Sequence, residues 1–258
     1  MIGVTDYPLG GIFVVSLIAI LAASEIGRWF GARAAGRGRT GVGTLESATL
    51  GLLALMIGFT FAMALPRFDA RRDGVLTEAN AIGTTALRAR LLPAPHNRET
   101  LKLLREYTQL RLAFAQRLPS PQEWAAMMDR SNAIQEALWQ QVKIVAAKDN
   151  SMVPTGLFIQ TLNDVIDAQE KRLTAMRNRV PSIVLVALYG TTIVALAFAG
   201  YASGLARDRA RVGVYVMAVL VAAVILLIQD LDRPGSGFVT VSQQPMVDTA
   251  ASLAGYEE

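Results

Sequence analysis

Four runs of apolar residues are long enough to cross a bilayer, and they come as two pairs around a hydrophilic middle. A helix needs about 20 apolar residues to traverse the hydrocarbon. The stretches that qualify are Ile12–Phe30, Leu50–Leu65 with an amphiphilic lead-in from Leu45, Ile183–Tyr201 and Val212–Asp230. The pattern predicts an all-α polytopic membrane protein, with four transmembrane helices in two hairpins and an extramembrane helical bundle between them. The expected divisions are a first hairpin over 1–66, the bundle over 67–181, a second hairpin over 182–232 and an extended C-terminal tail over 233–258.

Composition agrees with this layout. The chain is 52% hydrophobic and 18% charged, with a mean hydropathy of +0.36, more apolar than an ordinary soluble domain. Charge is concentrated in the middle, where Arg67 to Arg179 carries 17 Lys and Arg against 12 Asp and Glu. With no cysteine, disulfides, thiolate metal sites and cysteine nucleophiles are excluded. The opening residues Met1–Tyr7 lack the basic region of a signal peptide, so the first run reads as a retained span.

An even number of spans puts both termini and the bundle on one face. The hairpin loops are Gly31–Thr44, with Arg33, Arg37 and Arg39 (and Arg28 just inside the span), and Ala202–Arg211, with Arg207, Arg209 and Arg211. Counted over short loops, this excess of arginine assigns the loops to the cytoplasm, and the bundle and both termini to the far side. Arg67, Arg71, Arg72, Lys171, Arg172, Arg177 and Arg179 flank the bundle and nearly balance that count, which leaves the reverse orientation open.

The middle reads as helices throughout. Phe68–Leu92 continues the second span past Pro66 and ends at Pro93-Ala94-Pro95, since proline lacks the amide proton that a helix interior needs. Asn97 is the expected cap of a helix running to about Leu118. Ser120-Pro121-Gln122-Glu123 has the spacing of a capping box and opens a helix to about Lys148. A last helix is expected from near Pro154 to Arg179, where Leu162, Val165, Ile166, Leu173 and Met176 form one apolar stripe. Long helices with short connections make a bundle, whose first and last members are expected to run into spans two and three.

Signals for catalysis are weak. His96 is the only histidine and sits at a turn, so no catalytic residue, metal site or other cofactor is expected. Small residues are more informative. Ala54, Gly58 and Ala62 in the second span, and Ala187, Thr191, Ala195 and Ala199 in the third, recur every fourth residue. Such ridges let helices approach closely in lipid, either within one chain or between subunits. Glu25 and Arg28 have the spacing of a helical ion pair. Asp230, Asp232 and Arg233 end the fourth span on the face where Arg67, Asp69, Arg71 and Arg72 follow the second. That set makes either a structural clamp or a charged ring at a pore mouth.

The run from Gly58 through Pro66-Arg67-Phe68-Asp69-Ala70-Arg71-Arg72, then Glu78-Ala79-Asn80 and Gly83, resembles the bacterial bestrophin-like domain family. So do Leu104-Arg105-Glu106-Tyr107 and the closing Asp230-Leu231-Asp232-Arg233-Pro234 with Gly237 and Gln244-Pro245. The resemblance covers nearly the whole chain. It implies a bacterial inner membrane and an oligomeric ion channel favouring anions, a pentamer by analogy, with the bundle in the cytosol. Arg67, Asp69, Arg71, Arg72, Glu78, Asn80, Asp230, Asp232 and Arg233 are then the candidate pore or charge cluster. The expected partners are the lipid bilayer, further copies of the chain and an anion, with no nucleic acid. The competing reading is a membrane sensor or scaffold whose bundle binds a ligand or protein, and no enzyme is expected.

Overall fold

The computed structural model describes residues 8–35, 42–116, 120–149, 151–206 and 211–256. Arg37, Arg39, Arg207 and Arg209, used above for orientation, lie outside them. All regular elements among the described residues are helical. In order they are α1 (Leu9–Ala34), α2 (Val42–Ala89), α3 (His96–Gln116), α4 (Pro121–Lys148), α5 (Leu157–Arg177), α6 (Ser182–Ala206), α7 (Arg211–Asp232) and α8 (Gln244–Ala254), with one wide turn at Met152–Gly156 before α5. Four of these helices contain segments long and apolar enough to span a membrane. The chain divides into two compact units. One comprises Met1–Arg67, Arg179–Arg233 and Gly237–Val239, and the other Phe68–Asn178, Pro234–Ser236 and Thr240–Glu258.

In the membrane unit, α1 and α6 meet backbone to backbone. A methyl group built on Gly27 would lie 2.0 Å from the carbonyl oxygen of Ala197, and one on Gly31 2.1 Å from that of Tyr201. From the other side, Gly200 faces the Ser24 carbonyl at 2.0 Å and Gly204 that of Arg28 at 2.3 Å. Two glycine pairs spaced four apart, one on each helix, create this contact, since only hydrogen fits between the backbones. Polar side chains tie in α7: Tyr189 Oη lies 2.9 Å from Ser16 Oγ and accepts a hydrogen bond from Gln229 Nε2 at 2.9 Å. Unpaired polar groups are costly in hydrocarbon, so such bonds fix helix rotation.

Helix α2 runs unbroken through Pro66 for 48 residues. Pro66 deprives the Ala62 carbonyl of its helical donor. The Arg67 guanidinium folds back beside that point onto the neighbouring Met63 carbonyl.

In the second unit, the inward positions of α2 are Ala79, Ile82, Ala86 and Ala89. They pack on Leu101, Leu104 and Tyr107 of α3, Ile134, Leu138, Val142 and Val145 of α4, and Phe158, Leu162 and Val165 of α5. The three-and-four spacing in each helix produces one apolar stripe per element. Ser120 and Glu123 complete the capping box. The Ser120 hydroxyl accepts the Glu123 amide at 3.3 Å, and the Glu123 carboxylate accepts the Ser120 amide at 2.8 Å.

Three expectations need correction. The tail is not extended throughout, because Gln244–Ala254 is a helix that buries Met246 and Leu253 in the bundle core. Arg105 Nε caps its end by donating to the Leu253 carbonyl at 3.0 Å. Helix α5 does not continue into α6, since residues 178–181 are non-helical. Pro181 disfavours the helical conformation at Val180, and the Val180 amide donates instead to Asp232 Oδ1 at 2.8 Å. Asn97 is not the cap of α3, which begins at His96, and its side chain accepts from the next amide, Arg98.

Candidate functional site

Counting 100° per residue, Ala54, Gly58 and Ala62 share one face of α2 in the membrane unit, and Asp69, Arg72 and Asn80 share one face of its continuation in the second unit. All six are exposed on the single chain. The first face is small and apolar, and the second is charged or polar. Leu65, 40% exposed, lies on the first face, and Leu76, 47% exposed, on the second. The ridge on α6 divides differently. Ala195 and Ala199 are 0% and 2% exposed, Thr191 is half-buried, and Ala187 is exposed.

Glu78 and Arg71 face the opposite way and are buried. The Glu78 carboxylate is the hub of a network that draws on three helices. Arg111 from α3 grips it with Nε at 2.7 Å from Oε1 and Nη2 at 3.2 Å from Oε2. Arg172 from α5 places Nη1 at 2.6 Å from Oε2. Tyr107 Oη donates to Oε1 at 2.7 Å. Glu78, Tyr107, Arg111 and Arg172 are each at most 1% exposed. Burial, reinforced by the adjacent Glu78 carboxylate, pushes the Tyr107 phenol well above its usual range, so it remains a proton donor.

A phenol has one proton to donate, and here its hydrogen bond goes to the Glu78 carboxylate. Gln169 Oε1 accepts from Ser131 Oγ at 2.5 Å and from Gln135 Nε2 at 3.1 Å, and it lies 2.8 Å from Tyr107 Oη. Arg172 Nη2 continues the network to Gln243 Oε1 at 3.0 Å, immediately before α8. Five segments are therefore locked around one carboxylate. Sequence reasoning singled out Glu78 but not Arg111, and treated Arg172 only as a flanking charge. Its signal was available: each arginine occupies a position on the apolar stripe of its helix.

The end of α7 holds a second group. Asp230, 2% exposed, accepts the Phe238 amide on Oδ1 at 3.0 Å and the Val239 amide on Oδ2 at 2.9 Å. Asp232, 1% exposed, accepts the Val180 amide, and Arg233 beside it is 7% exposed. Both aspartates thus bind backbone, a role that the clamp and ring readings had not included. At the other end of the membrane unit, Arg28 Nη2 pairs with Glu25 at 2.6 Å, and the Tyr215 hydroxyl and Arg211 converge on the same carboxylate.

The model of the bestrophin-like domain matches residues 11–246. The chain belongs to the bestrophin-like domain family. Its fold is that of a bacterial bestrophin homologue from Klebsiella pneumoniae, with a TM-score of 0.66, 16% identity, and coverage of 97% of this chain and 100% of that one. A crystal structure of a single-substitution form of that homologue matches at a TM-score of 0.68, again with 16% identity and 96% of each chain covered. A further crystal structure, described as a membrane protein, matches at 0.67 and 16% identity over 97% of this chain and 100% of its own. No curated protein matches. At this identity the likeness establishes the bestrophin fold, while side-chain roles rest on the geometry above.

Proposed function

We propose that the chain assembles into a homo-oligomeric channel of a bacterial inner membrane, conducting ions with a preference for anions. The exposed stripe of α2 carries this reading. A span whose small residues Ala54, Gly58 and Ala62 have no partner forfeits dispersion contacts in lipid, and a second copy restores them. The anion preference rests on the basic excess of residues 67–179, 17 Lys and Arg against 12 Asp and Glu, which concentrates anions near the protein. Membership of the bestrophin-like family supports it. Purified protein in planar bilayers is expected to give currents that reverse near the chloride equilibrium potential, and Arg72→Glu is expected to shift reversal toward that of the cation. Gly58→Leu should leave the single chain folded, as nothing lies within 4 Å of a Cβ there, and should dissociate the assembly. A silent bilayer from a protein that is monomeric in lipid discs would refute the proposal.

One observation favours the sensor reading. An open polar groove of about 360 Å³ between α2 and α5 is lined by Asn80, Thr84, Arg88, Asp164, Asp167 and Lys171 among others. A small ligand that raises the melting temperature of a non-conducting protein would select that alternative.

The orientation we propose has the arginine-bearing hairpins in the cytoplasm and the bundle and termini in the periplasm. In this cysteine-free chain, Ser120→Cys is expected to react with an impermeant thiol reagent on intact spheroplasts, and Thr40→Cys only after lysis. The reverse pattern places the bundle in the cytosol.

A further inference from the structure

Among the described residues, the most exposed large apolar side chain is Phe238, at 79%, in the loop that follows the fourth span. Such a ring on a loose loop would carry little meaning, but this loop is fixed. Both oxygens of the buried Asp230 are spent on the amides of Phe238 and Val239. Gly237 holds a φ of +144°, and a Cβ there would lie 1.8 Å from Asp230 Oδ1. The loop therefore turns back so that Phe238 is level with Asp230, about 3 Å inside the end of α7 at 1.5 Å per residue. A buried carboxylate and an obligatory glycine hold an apolar ring outward from the membrane unit.

The level of that ring can be read against α1. The Cβ position of Gly237 lies 3.4 Å from Leu9 Cδ1, so the loop sits beside the first residue of α1. Trp29 follows Leu9 by 20 residues in one continuous helix, about 30 Å along its axis, which equals the thickness of a bilayer's hydrocarbon. Trp29 and Phe30 are 49% and 54% exposed and stack edge to face at 4.7 Å. The Arg33 guanidinium lies 3.3 Å over the Trp29 ring, an aromatic body with a cationic head. Trp and Tyr gather at both boundaries of a membrane, apolar rings such as Phe bury at the headgroup–acyl boundary, and an arginine near a helix end reaches from there toward the headgroups.

We infer that Phe238 is a lipid-contacting anchor at the hydrocarbon–headgroup boundary, opposite the Trp29–Phe30 boundary, and that Asp230 and Gly237 serve to hold it at that depth. The inference requires only that the chain spans a bilayer and stands apart from the channel reading.

The test uses Phe238→Cys carrying a nitroxide, in the full-length protein reconstituted in phosphatidylcholine–phosphatidylglycerol liposomes. The chain has no other cysteine to label. Collisions of the nitroxide with oxygen, which partitions into lipid, are expected to exceed those with a water-soluble nickel chelate several-fold. The same label at Ser120→Cys should show the opposite preference. Chelate-dominated collisions at position 238 would place the ring in water and overturn the inference. Low accessibility to both reagents would mean that a second copy covers it, which also overturns it. Phe238→Trp gives an independent reading: the emission it adds to that of the native chain should be quenched by lipids brominated near the headgroup end of the acyl chain, and quenching by aqueous iodide instead would refute the anchor.

Discussion

Replacing Glu78 by alanine is expected to destabilise the protein by about 3–5 kcal/mol, because it leaves Arg111 and Arg172 in the interior without their shared carboxylate. The size of the effect follows from burial. An exposed ion pair is worth about 0–1 kcal/mol, since water screens it and the side chains lose entropy to form it. Here both arginines are 1% exposed, and no bulk water can replace the lost partner. Glu78→Gln keeps the shape and part of the hydrogen bonding, so its loss should be smaller. In a double-mutant cycle of Glu78→Ala with Arg172→Met, the second substitution should cost much less than it does alone, because the residues share one network. Denaturant unfolding of the protein in mild detergent, followed by circular dichroism, measures these differences. A loss below about 1 kcal/mol for Glu78→Ala would mean that the hub behaves as a surface pair.

Adding a single methyl group at Gly27 or Gly200 should have an effect of at least comparable size. Each new carbon would lie 2.0 Å from a backbone carbonyl oxygen, whereas ordinary contacts of that type are about 3.3–3.6 Å. A flexible side chain could swing aside, but a helix backbone cannot, so α1 and α6 must separate along their whole contact. Overpacking usually costs about 1–3 kcal/mol, and the cost here should exceed that range because the obstacle is backbone on both sides. Gly27→Ala and Gly200→Ala are expected to reduce the yield of folded protein and its melting temperature sharply, while Gly190→Ala, where nothing lies within 4 Å of a Cβ, should leave both near the native values. Equal melting temperatures for all three would show that the close approach does not support the fold.

Much of the architecture was legible because its signals are local. Apolar length marked the spans, Ser120 and Glu123 marked the start of α4, and the spacing of Leu162, Val165 and Leu173 marked the inner face of α5. What escaped depends on partners distant in the chain. Helix α8 has only 11 residues, too few to be stable alone, and its Met246 and Leu253 acquire meaning against α2 and α3. The break before α6 was signalled by Pro181, but the acceptor that replaces the helical bond is Asp232, 52 residues away. The candidate cluster mixed residues from opposite faces of α2. Helical angle places Asp69, Arg72 and Asn80 together and Arg71 and Glu78 apart from them, yet angle alone does not say which side a bundle will cover. The glycine pairs at 27/31 and 200/204 were in plain view, and Gly200 and Gly204 lie one step off the ridge that was singled out on α6.

The bond from Val180 to Asp232 also constrains how the chain is made. During synthesis Val180 emerges long before Asp232, and until then its amide has no acceptor of its own. The entry to the third span cannot take its final form while only that span has been translated. Until Asp232 is in place, water is the partner open to that amide. A ribosome stalled just before Asp230 should therefore leave the third span able to slide in the membrane, and one stalled far enough beyond to expose Asp232 should not.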